Sequence, residues 1–314
     1  MTELPEAVVL FGASGFIGRN IVDGLHDRVG LLIAVTASGQ AVPGCHLTVA
    51  ADRLSDIPSL PNDSIAINVA AVRYDPRQFA QQQSVILQRN LAIVTSVYAF
   101  CAERRISEVR QASSSAVYAA GADLLDDSVP VDLNVSPNAG ELGYAWSRRF
   151  AEIAGEVHRR LCGVHTQSFR LTNPFGPHDT LDHRSAHVAT SLIIRALKDP
   201  GPLRLFGNPN AQRDFVYSGD ISRIFIDSCR RRGSHQTMNL ASGETISIRR
   251  FAEQVLVAVG RDRPIEVSDE IAPGVNVRRA TGQRLRESFP DVNLRSLAEG
   301  LRETVAWYRH ALDC

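Results

Sequence analysis

The chain has 314 residues, 44% of them hydrophobic and 22% charged, long enough to bury a large core in about two domains. Its 34 cations balance 34 anions, which excludes the basic field of a nucleic-acid-binding protein and an acidic tail. Within that balance Lys198 is the single lysine and the other 33 cations are arginine, so a mechanism that needs a lysine must use Lys198 or do without.

Residues 7–11 (AVVLF) predict a buried β-strand, followed by the turn Gly12-Ala13-Ser14-Gly15-Phe16-Ile17-Gly18 and a helix over IVDGL. Glycines in that turn let the backbone approach a pyrophosphate, and the helix N-terminus supplies N–H donors and partial positive charge. Gly12, Ser14, Gly15, Phe16, Ile17 and Gly18 are therefore predicted to bind a dinucleotide. A second strand spans Leu31–Val35, and its end decides the cofactor. An acid there would hold the ribose hydroxyls of NAD, whereas this chain reads Ala34-Val35-Thr36-Ala37-Ser38-Gly39-Gln40. Thr36 and Ser38 offer hydroxyls to an extra phosphate and Arg19 or Arg53 a charge, so NADP is favoured, with NAD the alternative. Asp52, after a third strand, is expected near the adenine or at a helix N-cap.

Further along, 65–71 predicts another buried strand, 85–104 a long amphipathic helix, and Val109–Ala112 a strand running into the serines at 113–115. A helix over 147–161 precedes a strand at Thr166–Leu171. Strands alternating with helices predict an α/β fold, a Rossmann-type doubly wound parallel sheet. Past Asn173 proline and glycine become frequent, with helices at about 186–198, 218–231, 247–259 and 294–312. The expected division is a dinucleotide-binding domain over 1–170 and a smaller mixed α/β substrate-binding domain over 171–314, some segments of which return to the first sheet.

The glycine turn, Asn68-Val69-Ala70-Ala71, Ser113-Ser114-Ser115-Ala116-Val117-Tyr118 and Tyr144-Ala145-Trp146-Ser147-Arg148 occur in one order, continued by Arg170–Pro177, Gln212–Tyr217 and Asn239–Glu244. This series resembles the extended short-chain dehydrogenases/reductases that act on nucleotide-diphosphate sugars, most closely the GDP-fucose-synthase-type and deoxysugar 4-ketoreductases. The resemblance covers nearly the whole chain. It implies Tyr144 as acid/base, Ser114 as its hydroxyl partner, Ala70 and Ala71 beside the cofactor, and Tyr144 and Arg148 against the cofactor as well. A tyrosine does such chemistry only when a fixed cation favours its phenolate. The family places a lysine one helical turn after the tyrosine; here that residue is Arg148. Arginine keeps the charge but neither releases a proton nor has a lysine's geometry.

The stretch 176–188 holds His183, His187, Asp179 and Asp182, which a metal reading could take as ligands. The resemblance instead sets His187, Val188 and Arg195 against the sugar nucleotide, with Ser115 and Asn173 as further contacts, and implies no metal. Arg213 and Arg278, with Arg279 as the neighbouring possibility, match arginines that grip the diphosphate. Two departures from the family are Ala116, where the synthase has an epimerising cysteine, and Thr281, where an Asp is usual. The expected activity is NADPH-dependent reduction of a nucleotide-diphospho-4-keto-6-deoxy sugar. The alternatives are an NAD-dependent nucleotide-sugar 4-epimerase and a non-catalytic nucleotide-binding homologue that has lost the lysine. A dehydratase would need an Asp-Glu pair where this chain has Ser115-Ala116. The first six residues carry no apolar leader, no apolar run approaches the roughly 18 residues of a membrane span, and the five cysteines form no C-x-x-C pair. A cytoplasmic homodimer with free thiols and no membrane or nucleic-acid partner is expected.

Overall fold

A computed structural model of the chain describes residues 3–72, 78–79, 81–268 and 277–314; every candidate site residue lies within these. In chain order the elements of the first half are β1 (Ala7–Phe11), α1 (Phe16–Leu25), β2 (Leu31–Thr36), β3 (Leu47–Ala50), β4 (Ser64–Asn68) and α2 (Gln83–Glu103). Next come β5 (Glu108–Ser114), β6 (Leu124–Leu125), α3 (Leu142–Cys162) and β7 (His165–Leu171). The second half adds β8 (Asn173–Phe175), α4 (Val188–Lys198), β9 (Leu203–Leu205), β10 (Gln212–Arg213), β11 (Phe215–Tyr217) and α5 (Ser218–Ser228). It ends with β12 (Gln236–Leu240), β13 (Ile246–Ser247), α6 (Ile248–Val259), β14 (Ile265–Val267), β15 (Val277–Ala280), α7 (Gln283–Ser288) and α8 (Leu297–Ala311).

Among the described residues, β3-β2-β1-β4-β5-β7-β12 form one seven-stranded sheet in which every pairing is parallel. Strands β1 and β2 are buried on both faces, which is why they read as continuous apolar runs, whereas the equally buried β5 carries polar residues. Helices α1, α5 and α7 cover one face with Ile21, Val22, Ile224 and Phe289, and α2 and α3 cover the other with Val94, Val97, Ala151 and Ala154. The chain winds outward from β1 to β3 and returns to β4, so the crevice beyond the carboxyl ends of β1 and β4 is the switch point of the doubly wound fold.

A second core is built by α4, α6 and α8 around Phe175, Phe215, Phe251 and Tyr308. Beside it lies the small mixed sheet β13-β10-β15-β6. The halves interleave: α5 packs on α1, and β12 pairs with β7 at the edge of the main sheet. That last strand has no apolar signature, because its buried Asn239 is kept for its hydrogen bonds.

Several boundaries differ from expectation for local reasons. The strand expected over 65–71 stops at Asn68, whose Oδ1 turns back to accept from Ala70 N at 3.1 Å. The helix expected from 147 starts at Leu142, where its first turn meets the start of α2. Helix α8 starts at Leu297 rather than 294, set by the capping box of Ser296 and Glu299. Contrary to expectation, α2 is long and apolar enough to cross a membrane, yet Val94, Val97 and Phe100 pack it onto the sheet.

The β7–β12 edge carries a titratable tie. Thr166 N donates to His235 Nδ1 at 3.1 Å, which requires that nitrogen to be unprotonated, while His235 Nε2 lies 3.0 Å from Glu156. Burial holds the imidazole below its ordinary 6.5 despite the opposing pull of Glu156, which hydrogen bonds from Arg159 and Arg160 keep ionised down to about 2. The unfolded chain therefore binds the His235 proton first as pH falls. Stability is expected to be level above about pH 6.5 and to drop below it; urea midpoints of wild type and His235→Gln across pH 5–8 should show the slope weakened in the variant.

Candidate active site

The phosphate turn has the geometry its glycines require. Gly12 has φ 85°, and a Cβ there would lie 2.7 Å from the Cα of Ala70, so the β1 turn touches the end of β4. A Cβ on Gly18 would lie 2.0 Å from the carbonyl oxygen of Gly12, and one on Gly15 3.3 Å from it. Gly15 is the N-cap of α1 and offers no capping side chain, so the N–H groups of Phe16, Ile17 and Gly18 are left to a ligand. Ser14 and Gly15 are exposed on the turn, and Ala70 and Ala71 follow β4 on the other side of the crevice. A backbone cradle with uncapped donors and no room for side chains fits a dinucleotide pyrophosphate.

Beyond β2, Thr36 is buried and its Oγ1 accepts from Gly39 N at 3.0 Å, so this hydroxyl shapes the turn. Ser38 is exposed, with Oγ accepting from Gln40 N at 3.3 Å. Arg19 is committed to the carbonyl of Pro43 at 2.7 Å. Arg53 is exposed just past β3, whose Ala50 is the register partner of Thr36. Asp52 is exposed and caps nothing: the short 3₁₀ turn 54–56 has Arg53 at its N-cap, without a side-chain bond.

The serine run ends β5 at this same edge. Ser114 Oγ accepts from Ala116 N at 3.1 Å, opening a 3₁₀ turn in which Ser115 and Ala116 are buried. Tyr144 stands in the first turn of α3, half-buried, with the Phe79 ring edge-on at 6.4 Å. One turn later Arg148 is buried with its Cζ 5.0 Å from the Tyr144 ring centroid. Its Nη1 donates to Ala112 O at 3.3 Å, while its Nε has no hydrogen-bond partner among the described residues. A buried unsatisfied donor on a cation beside a tyrosine is a place for a polar ligand atom. Lys198 stands in the last turn of α4, outside this cluster.

A second tyrosine stands in a contrasting environment. Tyr118 is buried, donates to Asn239 Oδ1 at 2.8 Å and accepts from Arg170 Nη1 at 2.9 Å. Burial outweighs Arg170 and pushes its phenol up to about 12, so it carries no proton traffic. Arg170 is held by Glu152 through Nε at 2.9 Å and Nη2 at 2.7 Å, and Ser113 Oγ donates to the same carboxylate at 2.6 Å. Nothing in the chain pattern singles out Glu152 or Asn239 beyond a polar residue on a helix and one in a motif.

A cavity of about 320 Å³ opens next to the serine turn, lined by Ser115, Ala116, Tyr118, Asn138, Glu141 and Arg278 among others. Arg278 therefore faces the cavity, whereas Arg279 is exposed. Arg213 is the register partner of Arg278 across β10 and β15, and burial together with that second cation lowers the pKa of its guanidinium. Glu141, which the sequence does not single out, pairs with Arg278. Two arginines with one carboxylate leave a positive spot suited to a diphosphate. Asn173 on β8 donates to Asp214 O at 2.8 Å. His187 caps α4 and Val188 begins it, both exposed. Arg195 turns to Arg204 O at 2.6 Å and lies over the exposed Phe206 ring at 5.3 Å, so it does not line the cavity. Asp179 accepts from Thr190 Oγ1 and Thr180 N, and among the described residues no cluster of His, Cys, Asp or Glu is placed to hold a metal.

The family model described as the NAD dependent epimerase/dehydratase family matches residues 8–241. A dTDP-4-dehydro-6-deoxy-D-allose reductase from a Streptomyces species is 26% identical over 320 residues, covering 97% of this chain and 96% of that protein. Two solved structures share the fold. The UDP-N-acetylglucosamine 4-epimerase of Methanobrevibacter ruminantium M1, in complex with UDP-N-acetylmuramic acid, has TM-score 0.81 at 23% identity, covering 99% of this chain and 100% of that one. The GDP-L-fucose synthetase of Naegleria fowleri bound to NADP has TM-score 0.81 at 17% identity, covering 100% of this chain and 96% of that one.

The close approach at Gly18 makes a direct test of the cradle. Gly18→Ala, whose Cβ meets the Gly12 carbonyl, should weaken dinucleotide binding more than about tenfold in a fluorescence titration while the far-ultraviolet circular dichroism stays that of wild type.

Proposed function

Because the chain belongs to the NAD dependent epimerase/dehydratase family, as its motifs predict, we propose that it reduces the C4 ketone of a nucleotide-diphospho-4-keto-6-deoxy sugar with NADPH. The observation that carries this reading is the end-to-end match to a relative named as a 4-dehydro-6-deoxy sugar reductase, together with a tyrosine and a buried cation one turn apart at the crevice. Bound NADPH supplies the hydride to C4. The 12–18 turn would hold its pyrophosphate, and Arg148 keeps positive charge beside Tyr144. Tyr144 gives its phenolic proton to the C4 oxygen, and the Ser114 hydroxyl orients that oxygen. Arg213 and Arg278 grip the diphosphate. Preference for NADPH rests on the end of β2, where no carboxylate opposes a phosphate and the exposed Ser38 and Arg53 can meet it.

Arginine keeps its proton across the working pH range, so Arg148 serves as a fixed charge and the site does not depend on a lysine's proton exchange. The proposal extends to a homodimer. Val85 on α2 and Ile153, Val157 and Leu161 on α3 are large apolar side chains exposed on the paired helices, a surface suited to burial against a second copy. Sedimentation velocity should give twice the mass of one chain.

The deciding experiment is consumption of NADPH or NADH with dTDP- and GDP-linked 4-dehydro-6-deoxyhexoses. NADPH oxidation with at least one of them is expected; binding of neither nucleotide would sink the reading. Reduced-nicotinamide absorbance in the protein as isolated, with no net oxidation, would identify a 4-epimerase instead. Tyr144→Phe should lower kcat by about 10²–10⁴-fold with the fold intact. Arg148→Lys keeps the charge but loses the planar stack on Tyr144, and kcat should fall about tenfold.

A further inference from the structure

Helix α3 carries Tyr144 in its first turn but brings no cap for that turn. Its N-cap residue, Glu141, makes no side-chain cap bond and instead pairs with Arg278, and the first turn contains no acid. The missing acceptor comes from a residue 60 positions earlier. Gln83, the first residue of α2, accepts through Oε1 from Gly143 N at 2.8 Å and from Tyr144 N at 3.2 Å. Its Nε2 donates to Phe79 O at 2.7 Å, and the ring of Phe79 stands against Tyr144. The approach is possible only because residue 143 is glycine: a Cβ there would lie 2.0 Å from the main-chain oxygen of Gln83.

We infer that Gln83 is a positioning residue for Tyr144, capping α3 from another helix and fixing the turn from which the phenol reaches the crevice. The physical basis is that a first turn without an acceptor frays, and fraying at this turn moves the tyrosine itself. Reaction rate depends steeply on such placement, and binding of the sugar nucleotide, which this turn touches only through the Glu141–Arg278 pair, depends on it less. The inference rests on Tyr144 being the proton donor of the proposed reduction.

The test pairs Gln83→Leu, which fills the space without an acceptor, with Gln83→Glu, which keeps one. Two measurements are made: amide hydrogen exchange at Gly143 and Tyr144 in the free protein, and steady-state reduction of a dTDP-4-dehydro-6-deoxyhexose by NADPH. Gln83→Leu should speed exchange at those two amides about tenfold and leave α3 beyond Phe150 as in wild type. In turnover its kcat should fall about tenfold, with KM for the sugar nucleotide within about twofold. Gln83→Glu should restore protection and most of kcat.

Wild-type exchange and kcat in Gln83→Leu would overturn the inference, as would a rise in KM accompanied by faster exchange throughout α3. Should Gln83→Leu fail to fold, Gln83→Ala, which removes the acceptor without adding bulk, decides by exchange: wild-type protection at Gly143 and Tyr144 overturns the inference. Full turnover in Tyr144→Phe would instead overturn the acid reading, leaving the cap to be judged by exchange.

Discussion

Three residues in register across neighbouring strands, Ser113 on β5, Arg170 on β7 and Asn239 on β12, form a buried polar row at the carboxyl end of the sheet, and it ties the elements around the site together. A buried guanidinium must find partners for its donors, and Arg170 finds them in Glu152 of α3 and in Tyr118, just beyond the serine turn. Its pKa is driven up by Glu152 against the cost of burial, so the pair stays charged. Asn239 extends the row outward, donating to the carbonyls of Leu125 and Thr281 and so joining the small mixed sheet to the large one. Removing one member of such a buried ion pair typically costs about 3–5 kcal/mol, because the other charge is stranded. The row therefore locks together the helix carrying Tyr144, the turn carrying Ser114 and the sheet carrying Arg278.

The same network separates the two tyrosines chemically. Tyr118 is saturated by Arg170 and Asn239 and raised by burial, which suits a structural strut. Tyr144 sits one layer outward, with a cation on its ring face and an aromatic edge beside it. The two tyrosines thus differ in depth: Tyr118 is enclosed in a buried hydrogen-bond network, whereas Tyr144 is half-buried.

What the amino-acid pattern reveals is local. The glycine turn is legible because each glycine answers a contact within its own β-α unit, between Gly12, Gly18 and the end of β4. Tyr144 and Arg148 are legible because one helical turn brings them together. The start of α3 is not, since the acceptor for its first turn is a glutamine at the head of another helix. Strand β12 was hidden by Asn239, a polar residue buried for its hydrogen bonds, which breaks the apolar signature expected of a buried strand. Arg195 shows what a motif leaves unspecified. A motif places it toward the ligand, but a long side chain with many donors has turned to the carbonyl of Arg204.

The near absence of lysine gives Arg148 its context. Other buried arginines in this chain act as struts by sending separate donors to main-chain carbonyls: Arg110 to Ser228 and Arg231, Arg149 to Val117 and Val135. Arg148 is built on the same plan, anchored to the carbonyl of Ala112, but its buried Nε is left without a partner among the described residues and its guanidinium lies over the Tyr144 ring. Arg149 also leaves a donor unsatisfied, although it lies over Trp146 and away from Tyr144. A guanidinium that is half strut and half ligand site fixes its charge more firmly than a flexible ammonium could, and it gives up the ability to exchange a proton. In the proposed reduction this leaves proton exchange to Tyr144, and the first turn of α3, held by Gln83, sets where that residue stands.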